Sequence, residues 1–182
     1  MDHKNNKIAE QSKKWLMNAL LSLMDEKPFR DITITEISNR ADLARRTFYR
    51  NFKTKDEVLS LCVKEKMDEY IEYGKRETDF SLQNITRLYF TFWQANLKFA
   101  QVLKKNGLLF MLLIEFSRYL PYIHEVVQGN DVNYGGSEEL SYAMTFGAGG
   151  FWNLLSQWLE EGAVKSPDEM AKIAKNILTY YK

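Results

Sequence analysis

The spacing of apolar residues along the chain predicts helices from one end to the other. Apolar side chains recur every three or four positions, which is the period of a helix with one buried face. This period extends over residues 8–24, 55–75, 81–105, 137–161 and 167–181. We therefore predict an all-α protein.

Glycine, proline and polar residues divide this pattern into elements. Pro28 ends the first helix, Asn106-Gly107 stops a single long helix over 81–105, and Pro121 bends or ends the helix around it. The run 108–114, LLFMLLI, is almost wholly apolar, so we expect it to be buried on most sides. Residues 128–136, QGNDVNYGG, have the composition of a loop.

Two signals concern the last two helices. Glycines at 147, 149 and 150 weaken a helix by roughly 1 kcal/mol each, so they indicate a close approach of another backbone or a local kink. Ser166-Pro167 with Glu169 forms a strong start signal for the last helix, because Ser caps and Pro fits the first helical position.

The shortest predicted elements lie between residues 33 and 52. Thr33 and Glu36 have the spacing of a capping box, so a helix begins near Ile34. A second helix covers 44–51, and between the two Asp42 occupies a turn that needs a residue able to enter the left-handed region. Two short helices with this spacing form a helix-turn-helix, which the helix over 8–24 covers to give a three-helix head.

A further capping box, Thr54 and Glu57, starts the next helix at Lys55. This helix begins beside the helix-turn-helix and ends in the second half of the chain, so it forms a lever between them. We place the domain boundary there, with the three-helix head at 1–54 and a helical bundle at 55–182.

Positive charge is concentrated in the helix-turn-helix. The whole chain has a net charge of only +1, yet residues 40–55 contain six basic residues and one acidic residue. Phe48 and Phe52 fall on the buried side of the second helix, and its arginines fall on or near the exposed side. The second helix is therefore the candidate DNA reader, and the alternative is a basic helix that only faces solvent.

The helix-turn-helix resembles the TetR/AcrR-type bacterial transcriptional regulators. The matching motifs are TITEIS at 33–38, ADL at 41–43, TFYRNF at 47–52 and Lys55. Residues 147–171 also look like the C-terminal ligand-binding and dimerisation region of one branch of these regulators. The resemblance thus implies a DNA-binding domain at 1–54 and a ligand-binding and dimerisation domain at 55–182. Two positions depart from the pattern: Asp42 stands where the family usually has Gly, and Ala44 where it often has a hydroxyl cap.

The candidate DNA contacts come from two sources: which side chains of the second helix can reach the major groove, and the family resemblance. In the major groove Arg45 or Arg46 can bind guanine O6 and N7, and Thr47 can contact a thymine methyl or a phosphate. The resemblance implies phosphate contacts for Thr35, Tyr49 and Lys55. The full predicted set is Thr33, Thr35, Arg45, Arg46, Thr47, Tyr49, Arg50 and Lys55.

The apolar faces of the last two helices invite pairing with a second copy of the chain. Such a homodimer would present two reading helices about 34 to 36 Å apart, one turn of DNA, so its operator would be a palindrome. The alternative is that these faces only complete the monomer core. The predicted interface residues are Phe151, Leu155, Trp158, Met170, Ile173 and Ile177.

Aromatic residues are abundant in the second half of the chain. They are compatible with a pocket for a small apolar or aromatic effector, although an aromatic stripe at helical spacing also suits a packed core. The predicted lining residues are Trp93, Phe110, Ile114, Tyr119, Tyr142 and Phe146.

These patterns favour a sequence-specific regulator, most simply a repressor released from its operator by a ligand. The alternatives are a TetR-like regulator that acts through a protein partner without binding an operator, and a helical enzyme. For the enzyme there is no acid–base pair, activated nucleophile or metal triad at usable spacing. We expect no catalytic residue, metal site or cofactor.

The remaining features suit a protein of the cytoplasm. The N-terminus lacks the apolar core of a signal peptide, and no apolar run reaches the length of a membrane span. Cys62 is either a buried structural thiol or a redox sensor. Lys4, Lys7, Lys13 and Lys14 either reach DNA phosphates or face solvent.

Overall fold

The computed structural model describes residues 2–75, 77–128 and 137–177. Within those ranges every regular element is a helix, which confirms the all-α prediction. The helices are α1 (Asp2–Glu26), a 3-10 turn (Phe29–Asp31), α2 (Ile34–Arg40), α3 (Arg45–Asn51), α4 (Lys55–Gly74), α5 (Leu82–Ala95), α6 (Leu97–Lys105), α7 (Phe110–Ser117), α8 (Leu120–Gln128), α9 (Ser137–Glu160) and α10 (Pro167–Ile177). The predicted loop beyond Gln128 and the end of the last helix beyond Ile177 lie outside the described residues.

The first three helices form the predicted three-helix head. Leu16 and Leu20 of α1, Ile37 of α2 and Phe48 of α3 are fully buried in one apolar core. Burying side chains of this size contributes about 1.5 to 3 kcal/mol each. Because α2 and α3 are only two turns long, this shared core, rather than helix propensity, holds them in place.

Two ion pairs fix α1 against α2. Lys27 Nζ lies 2.5 Å from Glu36 Oε1, and Arg40 donates to both carboxylate oxygens of Glu26 at 2.7 and 2.8 Å. Glu36 also accepts from the backbone N–H of Thr33 at 2.9 Å and completes the predicted capping box. The Glu36 carboxylate thus links the start of α2 to the end of α1.

Replacing Glu36 with Gln is expected to flatten the acid dependence of stability. The hydrogen bond from Lys27, with those from Thr33, lowers the pKa of Glu36 from 4.5 to about 2. A carboxyl whose pKa is depressed by folding stabilises the fold above its unfolded pKa, and that contribution is lost as pH falls through the folded value. Urea unfolding between about pH 5 and pH 2 should show wild type losing more stability than Glu36→Gln, and parallel curves would contradict the linkage.

The long helix α4 connects the head to the remaining helices. Val58 and Leu59 lie in the core near its start, and Met67 and Tyr70 are buried near its end. α4 packs against α1 in the head and against α7 in the second half of the chain. A displacement of either end is therefore transmitted along one rigid element.

The predicted helix over 81–105 is wrong in one respect, because it breaks at Asn96 into α5 and α6. The side-chain amide of Asn96 donates to the Phe92 carbonyl at 2.9 Å and accepts from Lys66 Nζ at 2.9 Å. Asparagine competes in this way for backbone hydrogen bonds and so favours helix ends. The break lets α6 pack on both α1 and α9.

Two expectations concern the later helices, and the first of them is wrong. The run 108–114 is not buried on most sides, since α7 turns only one face inwards and leaves Phe110 and Ile114 exposed. The glycines of α9 meet no close neighbour: nothing described lies within 4 Å of a Cβ built on Gly147, Gly149 or Gly150. α9 runs through them as one helix.

The 3-10 turn between α1 and α2 is held from two sides. Lys55 Nζ donates to the carbonyls of Phe29, Arg30 and Ile32 at 2.7, 2.9 and 2.8 Å. Asn106, at the end of α6, accepts from the Phe29 N–H at 2.6 Å and donates to the Met24 carbonyl at 3.1 Å. The position of the head therefore depends on both α4 and α6.

Candidate DNA-binding surface and effector cavity

The turn of the helix-turn-helix closes with the left-handed residue that the sequence predicts. Asp42 has φ 54°, its N–H donates to Asn39 O at 3.1 Å, and the Leu43 N–H donates to Ser38 O at 2.9 Å. These two bonds form a Schellman motif, which usually has glycine at the left-handed position. Asp42 thus builds the turn at a conformational cost that glycine would avoid.

The reading helix α3 begins without a side-chain cap. Ala44 has the extended backbone of an N-cap residue, φ −64° and ψ 141°, and its carbonyl accepts from the Thr47 N–H at 2.7 Å, but its side chain has no oxygen to accept a further N–H of the first turn. The helix is therefore held by its packing and by the turn before it.

Replacing Ala44 with Ser is expected to raise the free energy of unfolding by about 1 kcal/mol. The serine hydroxyl would accept an N–H of the first turn of α3, and such caps contribute roughly 0.5 to 2 kcal/mol. Chemical denaturation measures the gain. Ala44→Val, which adds volume without an acceptor, is the control, and an equal gain in both variants would contradict the capping argument.

The outer face of α3 is basic and exposed. Arg45, Arg46, Tyr49 and Arg50 are exposed, whereas Phe48 is fully buried. Arg45 donates to the Tyr49 hydroxyl at 3.0 Å, and its guanidinium lies 5.4 Å from the centre of that ring. Within the described part of the chain, none of the three arginines pairs with a carboxylate. Their charge is thus available to an external anion.

The predicted contacts on α2 lie at its start. Thr33 and Thr35 are exposed and Thr47 of α3 is partly buried. The Thr33 hydroxyl is already used, since it accepts from the Glu36 N–H at 3.2 Å and donates to the Glu36 carboxylate at 2.8 Å. Thr35 and Thr47 flank the basic face, and their contacts with DNA remain predictions.

Lys55 has partners that its sequence position does not reveal. All three of its N–H bonds go to backbone carbonyls of the segment before α2, and its Nζ lies 4.7 Å from the centre of the Phe29 ring. In this arrangement Lys55 positions the head from within. Its phosphate contact remains a prediction, and it would have to compete with these bonds.

The predicted capping box at the start of α4 is only half formed. Thr54 accepts from the Glu57 N–H at 3.2 Å, but the Glu57 carboxylate accepts from the Lys53 N–H at 2.7 Å instead of from Thr54. The start of α4 is capped all the same, close behind the reading helix.

A cavity of about 390 Å³ lies among the helices of the second half of the chain. Its wall is largely apolar and aromatic, which is typical of sites for small organic ligands. α4, α5, α7, α8 and α9 all contribute to it. Central wall residues are Met67, Tyr70, Tyr89, Trp93, Phe116, Met144 and Phe151.

Of the six predicted lining residues, only Trp93 belongs to this wall. Phe110, Ile114, Tyr142 and Phe146 are 46, 53, 71 and 86% exposed. Tyr119 donates its hydroxyl to the Asp68 carboxylate of α4. Tyr70 and Tyr89 also line the cavity but are not in the predicted set. Their helical spacing places them on the apolar faces of their helices, but it does not show that those faces border a cavity.

The predicted dimer residues divide into two groups. Leu155, Trp158 and Met170 are buried in the chain's own core, and Phe151 lines the cavity. Ile173 is exposed and Ile177 partly so. The exposed side of α9 carries other residues, chiefly Tyr142 and Phe146.

The arrangement defines a helix-turn-helix DNA-binding protein with a cavity-containing helical bundle. Residues 16–62 match the family model for bacterial regulatory proteins of the TetR family, and residues 80–180 match the model for a transcriptional regulator C-terminal region. The chain belongs to the TetR family and is a DNA-binding transcriptional regulator. Proteins of this family are typically not enzymes, and they usually dimerise and bind small-molecule effectors.

Individual relatives are more distant. The transposon Tn10 TetC protein of Escherichia coli is 33% identical over 66 residues, which are 36% of this chain and 34% of TetC. The chain thus spans about a third of the length of that curated relative. Among solved structures, the dihydroxyacetone kinase operon activator DhaS is 20% identical with a TM-score of 0.63, over 93% of this chain and 95% of DhaS.

A second similar structure is the fatty acid degradation regulator FadR from Bacillus halodurans. It is 14% identical with a TM-score of 0.66, over 92% of this chain and 94% of FadR. At these identities both likenesses show the fold alone.

Other candidate chemistry finds little support in the described residues. Burial raises the pKa of Cys62 to about 12, so its thiol stays protonated at neutral pH, as suits a structural residue. No group of metal-ligating side chains occurs among the described residues. None of their helices is long and apolar enough to cross a membrane.

Proposed function

We propose that the protein is a homodimeric repressor that binds a palindromic operator in the cytoplasm and is released by a small, mainly apolar effector. The observation that carries the DNA-reading step is the exposed face of α3. Three arginines, two at the start of α3 and one in its last turn, have no carboxylate partner among the described residues. They suit bidentate contacts with guanine and charge-assisted contacts with phosphate.

Dimerisation through α9 and α10 is supported by the side of α9 that the chain leaves open. Tyr142 and Phe146 are large and strongly exposed, and Gly150 one turn further on leaves space for a partner's backbone. Ile173 of α10 is exposed as well. Large apolar side chains exposed in this way are typical of protein–protein interfaces. We therefore centre the interface on these residues rather than on Leu155, Trp158 and Met170.

The effector step is supported by the position of the cavity against α4. Tyr70 and Ile71 near the end of α4 line the cavity, and Lys55 at its start holds the segment before α2. A ligand that fits the cavity better in one orientation of α4 would favour one spacing of the two heads. Its effect equals its differential affinity for the two states.

Selection from random DNA duplexes on the purified protein tests this proposal. We expect enrichment of a palindrome, bound by a dimer, with an affinity that falls steeply with salt because phosphate contacts release counterions. A reporter gene placed behind the enriched site then shows whether the protein represses or activates transcription. This control is needed because the structurally similar DhaS is an operon activator. Absence of enrichment from a stable dimer would overturn the operator-binding proposal and point to regulation through a protein partner.

A further inference from the structure

The cavity contains a small group of polar atoms within an apolar wall. Tyr70, Tyr89 and Trp93 lie in contact along α4 and α5, with ring centres 5.7 Å apart for the two tyrosines and 6.1 Å apart for Tyr89 and Trp93. The other side of Tyr89 packs on Phe151 of α9 at 5.1 Å. The polar atoms of these three side chains therefore belong to one region of the wall.

The indole N–H of Trp93 is the unusual member of this group. Trp93 is 1% exposed, and its Nε1 is the one buried side-chain nitrogen or oxygen among the described residues without a hydrogen bond of good geometry. The Tyr89 hydroxyl lies close enough for the Trp93 N–H to lower the pKa of Tyr89 against the larger effect of burial, but the two groups do not reach that geometry. A buried donor without a good acceptor destabilises the folded protein. Unpaired buried donors are rare in proteins, and a ligand that accepts from this one would recover the cost.

The two tyrosine hydroxyls beside it are neutral. Burial raises the pKa of Tyr70 and that of Tyr89 well above their usual range, and the Tyr70 hydroxyl adds to the rise at Tyr89. Both hydroxyls remain protonated at any physiological pH and offer hydrogen bonds rather than charge. This region of the wall thus contains three donors, of which the Trp93 N–H is covered, and no formal charge.

The charged side chains that the described residues contribute to the cavity wall, Lys75 and Glu77, already have partners. Lys75 Nζ lies 2.5 Å from the Glu72 carboxylate, and Glu77 accepts from the N–H groups of Thr78 and Asp79 at 2.8 and 2.9 Å. Among the described residues, a charged ligand group placed deep in the cavity would find no free counter-ion to offset the loss of its hydration. The wall therefore selects against ions.

We propose that the effector is an uncharged, mainly apolar molecule with a hydrogen-bond acceptor, such as a ketone or ester carbonyl, that binds the Trp93 N–H beside Tyr70 and Tyr89. The inference rests on the proposed function in one respect, that the cavity is the effector site. Nε1 is covered, so the acceptor reaches it after a rotation of the neighbouring Tyr89 side chain. The aliphatic or aromatic remainder fills the space between Met67, Phe116 and Met144.

Calorimetric titration of the full chain with three probes of similar size tests the inference. Butyrophenone has a carbonyl next to its ring, butylbenzene has none, and 4-phenylbutanoate has a carboxylate at the end of a chain of the same length. We expect the ketone to bind roughly tenfold more tightly than the hydrocarbon, as one recovered hydrogen bond implies, and the carboxylate to bind most weakly. In Trp93→Phe the ketone should lose most of this advantage while the hydrocarbon keeps its affinity.

Three further variants make the outcome decisive. Trp15→Phe, the same kind of substitution at an exposed residue of α1 outside the cavity wall, is the matched control and should leave the ketone preference unchanged. Tyr89→Phe should reduce the preference less than Trp93→Phe does. Equal affinity for ketone and hydrocarbon in wild type, or a preference that survives in Trp93→Phe, would overturn the inference. Tightest binding of the carboxylate, lost in Lys75→Met, would overturn it in favour of an anionic effector.

DNA affinity measured with and without each probe separates this inference from the proposed function. Release of DNA by the ketone supports both. A Trp93-dependent ketone preference with unchanged DNA affinity supports the cavity chemistry and counts against effector-driven release.

Discussion

An Arg45→Ala, Arg46→Ala double variant is expected to lose operator recognition while it folds like wild type. Both side chains are exposed and neither pairs with a carboxylate, so their removal costs the head little stability. Each arginine that contacts a base contributes about 1 to 3 kcal/mol of discrimination, so the operator affinity should fall by about two orders of magnitude or more. Fluorescence anisotropy on the selected duplex, at several salt concentrations, measures the loss.

A control variant that removes a cation elsewhere distinguishes base contacts from general electrostatic attraction to DNA. Lys98→Ala on α6 removes an exposed cation that pairs with Asp25 at 3.0 Å, away from the reading helix in the chain. It should bind the operator as wild type does. If the double variant weakens binding to operator and random DNA equally, then α3 makes phosphate contacts alone and the base-reading assignment is wrong.

Replacing Lys55 with Met is expected to destabilise the head by about 2 to 3 kcal/mol. The variant keeps much of the apolar stem but leaves the carbonyls of Phe29, Arg30 and Ile32 without their charged donor. Hydrogen bonds to charged groups contribute about 1.5 to 3 kcal/mol, and part of this loss is offset because water reaches the segment. Thermal and urea unfolding measure the change.

The same variant distinguishes the two roles of Lys55. A phosphate contact would make Lys55→Met as stable as wild type but weaker on all DNA, with the salt slope reduced by about one. If Lys55 instead only holds the segment before α2, the variant should lose stability, and the salt dependence of DNA binding by the folded protein should be unchanged. Lys53→Met, which removes an exposed cation two residues away, is the matched control.

The elements of the head follow from short-range signals. Thr33 and Glu36 are close enough in sequence for their bonds to form as soon as the helix starts, and Asp42 tolerates the left-handed conformation that the turn requires. Such interactions depend on residues within one turn of each other, so they can be predicted from the sequence. The buried position of Phe48 follows from helical periodicity in the same way.

The cavity and the role of Lys55 depend on contacts between residues far apart in the chain. Periodicity gives the apolar face of a helix, but it does not say whether that face meets another helix, a void or a second copy. Phe146 and Leu155 are both apolar positions of α9, yet one is strongly exposed and the other fully buried. Of the six residues predicted to line the pocket, only Trp93 lies in the cavity wall, and Phe151, predicted for the interface, lies there as well.

The sequence by itself determined the helical class, the helix-turn-helix and the basic face of its second helix, because each depends on periodicity, capping or charge within a few residues. The tertiary structure decided the break at Asn96, the partners of Lys55 and the unpaired N–H of Trp93. Lys55 and Asn96 bond to groups 23 to 30 residues away in the chain. Such contacts arise only when whole helices pack, since packing fixes which donors and acceptors meet and which space remains.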